Sequence, residues 1–86
     1  MRMEHEQKIR QALEIVTRIS EDTTVPRNIR RKALEAKNYL MREGDDPAVR
    51  AASARMALEE VSDDPNMPVH ARTQLWGVLS ILETIR

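Results

Sequence analysis

The sequence predicts an all-α domain, a compact four-helix up-down bundle made of two pseudo-repeated helical hairpins, and three observations carry that expectation. Apolar residues recur at helical spacing in four stretches, with no strand-like alternation anywhere in the chain. Pro, Gly and Asp gather at the three breaks between those stretches. The corner Ser20-Glu-Asp-Thr-Thr-Val-Pro-Arg-Asn-Ile-Arg30 returns as Ser62-Asp-Asp-Pro-Asn-Met-Pro-Val-His-Ala-Arg72, at an offset of 42 (68 − 26) set by Pro26 and Pro68. At that offset Asp22, Pro26 and Arg30 fall on Asp64, Pro68 and Arg72, and Val25 falls on Met67.

The first helix is expected over residues 4–20, where Ile9, Ala12, Leu13, Val16 and Ile19 form one stripe widened by Ile15. Glu4/Lys8, Glu6/Arg10 and Glu14/Arg18 stand one turn apart outside it, at the spacing of ion pairs. Two threonines then break the pattern. Pro26 suits the first turn of a second helix over 26–43, because its missing N–H lacks a helical partner there anyway. Asp22, Thr23 and Thr24 are all candidates to cap that start, and the residue before a proline is itself steered away from helical geometry.

Ile29, Ala33, Ala36 and Leu40 form the core stripe of the second helix, with Leu34 and Met41 beside it, and Gly44 stops it. Asp46 and Pro47 restart the chain as N-cap and first helical residue of a third helix over 47–62. So short a connection makes the second and third helices antiparallel neighbours. Alanines at 48, 51, 52, 54 and 57 allow this third helix to be approached closely on more than one side. The fourth helix, over 68–85, carries Leu75, Trp76, Val78, Leu79, Ile81, Leu82 and Ile85, which is more than one stripe. Such a helix is central or shared with another subunit. Trp76 is expected in the core first, and Trp76, Ile81 and Ile85 form the candidate interaction surface.

An 86-residue chain is one small domain with a marginal core, and self-association is one way to support it. Its lack of Cys excludes disulfides and thiolate sites and suits a reducing cytoplasm. The longest apolar run, Leu75 to Leu82, is too short for a membrane span and is broken by Gly77 and Ser80. Charged residues make up 33% and balance to zero, but unevenly. Residues 26–43 hold Arg27, Arg30, Arg31, Lys32, Lys37 and Arg42 against Glu35 and Glu43. Residues 44–65 hold two arginines against six carboxylates.

Little in the chain carries chemistry. Neither His5 nor His70 follows the Glu-x-x-His spacing of a di-metal bundle, so no metal and no cofactor is expected. Ser20, Ser53, Ser62 and Ser80 have no base or oxyanion hole in view, and with glycine only at 44 and 77 there is no phosphate-binding loop. The pairs Asp45/Asp46 and Asp63/Asp64 are expected to cap helices rather than bind cations. Asp22, Pro26 and Arg30, with Asp64, Pro68 and Arg72, are expected to build the corners, through bidentate ion pairs Arg30/Asp22 and Arg72/Asp64.

Two resemblances follow from these motifs. Asp46-Pro-Ala-Val-Arg-Ala-Ala-Ser-Ala is similar to the second helix of HEAT-type repeats, although two helical pairs are few for a solenoid. Glu21 to Arg31, Asp46 to Ala52 and Asp64 to Pro68, with Arg72 to Trp76 and Leu82 to Ile85, resemble a small archaeal family of uncharacterised helical proteins of the UPF type. That resemblance covers nearly the whole chain and implies a four-helix bundle in an archaeal cytoplasm. It implies no activity and transfers no functional residues.

A non-catalytic protein-protein interaction or assembly module is therefore the expected function, with an unknown protein or a second copy as partner. The alternative is a nucleic-acid-associated protein making phosphate contacts through Arg27, Arg30, Arg31 and Lys37. One Trp, one Tyr and no Phe leave it little means of stacking bases, and pairing with the acidic third segment would absorb the same cations.

Overall fold

The computed structural model describes residues 2–86 and consists of four helices, α1 (Arg2–Glu21), α2 (Arg27–Met41), α3 (Pro47–Glu59) and α4 (Val69–Glu83). Each helix buries the stripe its spacing dictates. Ile9, Ala12, Val16 and Ile19 of α1 meet Ile29, Ala33, Ala36 and Leu40 of α2, Ala51, Ala54 and Leu58 of α3, and Ala71, Leu75, Val78 and Leu82 of α4 in one core. No polar or charged side chain is buried among the described residues.

Packing runs round a closed ring: α1 on α2, α2 on α3, α3 on α4, and α4 back on α1. Across the diagonal α1 touches α3, where alanines leave room, whereas α2 and α4 do not meet. An open HEAT-like stack would separate α1 from α4, so the ring establishes the bundle. Its extents, 37 × 19 × 18 Å, are those of a two-by-two array of helices about 8–10 Å apart.

Three helices are shorter than the periodicity suggests. α2 ends at Met41 because Arg42 is extended, and Gly44 then turns the chain with φ of +93°. α3 gives way after Glu59 to successive tight turns, Val61 N–H to Leu58 and Asp64 N–H to Val61, before Pro65. Pro26 and Pro68 stand at the N-cap, one residue ahead of the first full turn. Asp46 caps α3 as expected, accepting from the Ala48 N–H at 2.9 Å.

The repeated corner has a common physical basis. Asp22 accepts from the N–H of Thr24 at 2.9 Å and Asp64 from that of Asn66 at 2.8 Å. Their own carbonyls accept from Val25 and Met67, which are thereby turned into the core. Neither proline N-cap has a side-chain cap, so Asp22 secures the turn ahead of the helix rather than the helix itself.

Candidate functional site

The two corners clasp one another. His70 Nε2 lies 2.8 Å from Asp22 Oδ2, and Asn28 Nδ2 donates to Asp64 Oδ2 at 2.9 Å. Asn28 and His70 are themselves equivalent at the 42-residue offset, so the repeat is also a reciprocal bond between its halves. The hydroxyl of Thr24, the His70 hydrogen bond and the Thr24 N–H lower the Asp22 carboxyl from 3.8 to about 2. The Asn28 amide, followed by the Asn66 N–H, lowers Asp64.

This arrangement corrects the expected Arg30/Asp22 and Arg72/Asp64 ion pairs. Both oxygens of each carboxylate are taken by other donors, Thr24 and His70 at Asp22, Asn66 and Asn28 at Asp64. Arg72 reaches its corner through the Asp64 backbone carbonyl instead, at 3.2 Å. Arg30 Nε is buried without a hydrogen-bond partner.

Asp22, His70 and Thr24 also fail as a catalytic relay. The carboxylate and the Thr24 hydroxyl, 3.4 Å away, both face the same imidazole nitrogen, whereas a relay needs them on opposite ones. No group of three metal-ligating side chains occurs among the described residues.

A second feature runs along α1 and α2. Arg27, Arg30, Arg31 and Lys37 line one open groove together with Ser20, Glu21 and Leu34. Past Lys37 it continues between Arg10, Leu13, Glu14, Thr17, Arg18 and Met41. None of these six cations makes an ion pair among the described residues, while Lys32, Arg42, Arg50 and Arg55 all do. The acidic third segment neutralises Lys32, through Glu60 at 2.9 Å, and Arg42, through Asp45 at 3.6 Å, and the Glu60 bond raises the lysine's pKa.

Arg10 and Arg18 were not legible as part of this groove. Their i,i+4 spacing to Glu6 and Glu14 suggests pairs on α1, but Glu6 is instead drawn to Arg50 at 3.3 Å. Arg50 is held there because Nε, at 3.1 Å, and Nη2 both donate to the carbonyl of Leu40 at the end of α2. Arg30, Arg50 and Arg72 each stand four residues after an N-cap, and each N–H closes on that residue's carbonyl at 3.0 Å. Only Arg30 leaves its guanidinium without a hydrogen bond.

The third feature is the outer face of α4. Trp76 is 58% exposed and Val69 80%, against the expectation that Trp76 enters the core. The reason is rotational: α4 packs only on α1 and α3 through Ala71, Leu75, Val78 and Leu82, and Trp76 stands about 100° round from Leu75. Ile81 is half-buried and Ile85 is in the core at 5%, so Ile85 cannot belong to an exposed surface. Thr73 and Ser80 turn their hydroxyls back onto the carbonyls of Val69 and Trp76, at 3.2 and 3.0 Å. A methyl group built at Gly77 would meet nothing within 4 Å.

The fold and these surfaces define a small all-α bundle of two clasped hairpins, with no group of three or more metal-ligating side chains among its described residues. By sequence the chain belongs to the uncharacterised protein family UPF0147, whose pattern matches residues 1–85. A UPF0147 protein of Saccharolobus islandicus is 52% identical over 86 residues, covering all of this chain and 97% of the relative. One from Aeropyrum pernix is 55% identical over 83 residues, 96% of this chain and 91% of the relative. Among solved structures, MMP1188, a protein of unknown function, superposes with a TM-score of 0.86 at 51% identity, covering 92% of this chain and 90% of that one. A UPF0147 member from Thermoplasma acidophilum gives 0.88 at 31%, covering 98% and 99%. No helix among the described residues is long and apolar enough to cross a membrane.

Proposed function

We propose that this protein is a non-catalytic assembly module of the cytoplasm that pairs with a second copy of itself through the outer face of α4. The observation that carries the reading is Trp76, a large aromatic side chain 58% exposed beside a glycine with open space around it. Val69, Thr73, Trp76, Gly77 and Ser80 are uncharged residues of the outer face of α4, in a chain that is one-third charged, and Glu83, two turns after Trp76, is the carboxylate at the end of that face.

Gly77 costs an α-helix interior about 1 kcal/mol relative to Ala. No atom of the described residues stands within 4 Å of where its side chain would begin. A notch one residue from a protruding ring is self-complementary under a two-fold axis: each Trp76 fills the space over the other copy's glycine. Burying that ring would also extend the marginal core of a 9.9 kDa domain.

Sedimentation equilibrium over a wide concentration range tests the reading. A dimer that Trp76→Ala converts to a folded monomer supports it; a monomeric wild type, or a dimer indifferent to Trp76→Ala, overturns it. The alternative, RNA association through Arg27, Arg30, Arg31 and Lys37, draws on their unpaired charge, but no aromatic side chain lines that groove.

A further inference from the structure

We propose that the α1/α2 groove is a docking site for an amphipathic helix of a partner protein, one whose apolar stripe is flanked by Asp and Glu. The site is separate from the α4 face and does not depend on self-association.

Charge is the first argument. Arg10, Arg18, Arg27, Arg30, Arg31 and Lys37 all face this groove and none is neutralised within the described chain. Such a cluster repels itself, and carboxylates from a partner relieve that repulsion. Arg30 is the focus, because it lines the groove and its guanidinium makes no hydrogen bond or ion pair among the described residues, and a carboxylate is the acceptor a guanidinium prefers.

Apolar surface is the second. Leu34 is 48% exposed and lines the groove beside Arg30 and Arg31, and Met41, 56% exposed, lines its continuation together with Leu13 of α1. Seven residues apart on one helix, Leu34 and Met41 stand about 10 Å from each other, the spacing of two turns on an incoming helix. A furrow between two packed helices is itself the receptacle into which a third helix lays its ridge.

A nucleic acid explains less of this surface. Phosphates account for the cations but leave Leu34 and Met41 in water. Glu14 and Glu21 stand in the same groove and oppose a partner's carboxylates as they oppose phosphates, so the apolar side chains decide between the two. No aromatic ring is present to receive a base.

Fluorescence anisotropy with three labelled probes tests the proposal: a designed peptide helix of about five turns with leucines at i, i+3, i+4 and i+7 and glutamates on both flanks, its scrambled sequence, and an RNA duplex of similar charge. The designed helix is expected to bind at least about tenfold more tightly than either other probe, a difference of about 1.4 kcal/mol. Arg30→Gln and Leu34→Gln should each weaken it severalfold while circular dichroism stays helical. Leu34→Gln separates apolar docking from simple charge attraction, since it changes no charge. Trp76→Ala should leave peptide binding intact, so failure of the α4 reading would be seen separately. No binding of the designed helix, equal binding of the scrambled peptide, or indifference to Leu34→Gln overturns the proposal. Tighter RNA binding that falls with Arg30→Gln but not Leu34→Gln also overturns it, and makes the groove a nucleic-acid interface.

Discussion

His70 Nε2 sits 2.8 Å from the Asp22 carboxylate, tying the start of α4 to the corner that follows α1. The Asn28 to Asp64 hydrogen bond repeats the link in the opposite direction between equivalent positions. A chain with two similar hairpins thus fixes them to each other at the corners as well as through the core.

The clasp gives stability a defined acid dependence. Asp22 is held at about 2 against 3.8 when free, so its ionised form is favoured in the fold. The contribution is complete above 3.8 and is lost as the pH falls through about 2. Asp64 is lowered in the same direction. Asp22→Asn should therefore melt below the wild type at neutral pH, with the gap closing across that acid range. Thermal melts by circular dichroism at a series of pH values check this; a gap that widens on acidification contradicts it.

Arginines that look alike in sequence should differ in stability. Arg50→Lys loses the two-pronged bond to the Leu40 carbonyl and should cost about 1–2 kcal/mol. Arg42→Lys, at an exposed pair with Asp45, should cost close to nothing. Arg30→Lys breaks no side-chain hydrogen bond among the described residues and should not lower the melting temperature. Chemical denaturation of the three variants decides the order.

The two glycines should respond in opposite senses. Gly44 has φ of +93°, so Gly44→Ala forces an ordinary side chain into left-handed geometry and should destabilise by about 1 kcal/mol. Gly77 is in a helix interior with open space around it, so Gly77→Ala should stabilise the monomer by about 0.5–1 kcal/mol. Urea unfolding at concentrations low enough to keep the chain monomeric measures both.

Much of the fold was legible because its signals are local. The Ile9, Ile29 and Leu75 stripes, the glycine after α2 and the Asp46-Pro47 start each follow from backbone sterics or helical spacing. Partner choice was not, because it depends on which donors the packed bundle brings within reach. Asp22 pairs with His70, 48 residues away, rather than with Arg30, and Glu6 pairs with Arg50 rather than with Arg10. Trp76 escaped for a related reason: helix α4 is apolar over several faces, and only the ring of neighbours decides which face is covered. The four basic positions were named from sequence, yet their freedom from acidic partners became visible only with Glu60 placed on Lys32.

Self-association through α4 is tested most directly by sedimentation equilibrium of the wild type beside Gly77→Glu. Glutamate favours the helix more than glycine does, so the variant should fold at least as well as the parent. The account predicts a wild-type mass twice the 9.9 kDa of the chain and a folded 9.9 kDa monomer for Gly77→Glu. A monomeric wild type, or a Gly77→Glu dimer as tight as the parent, would contradict it.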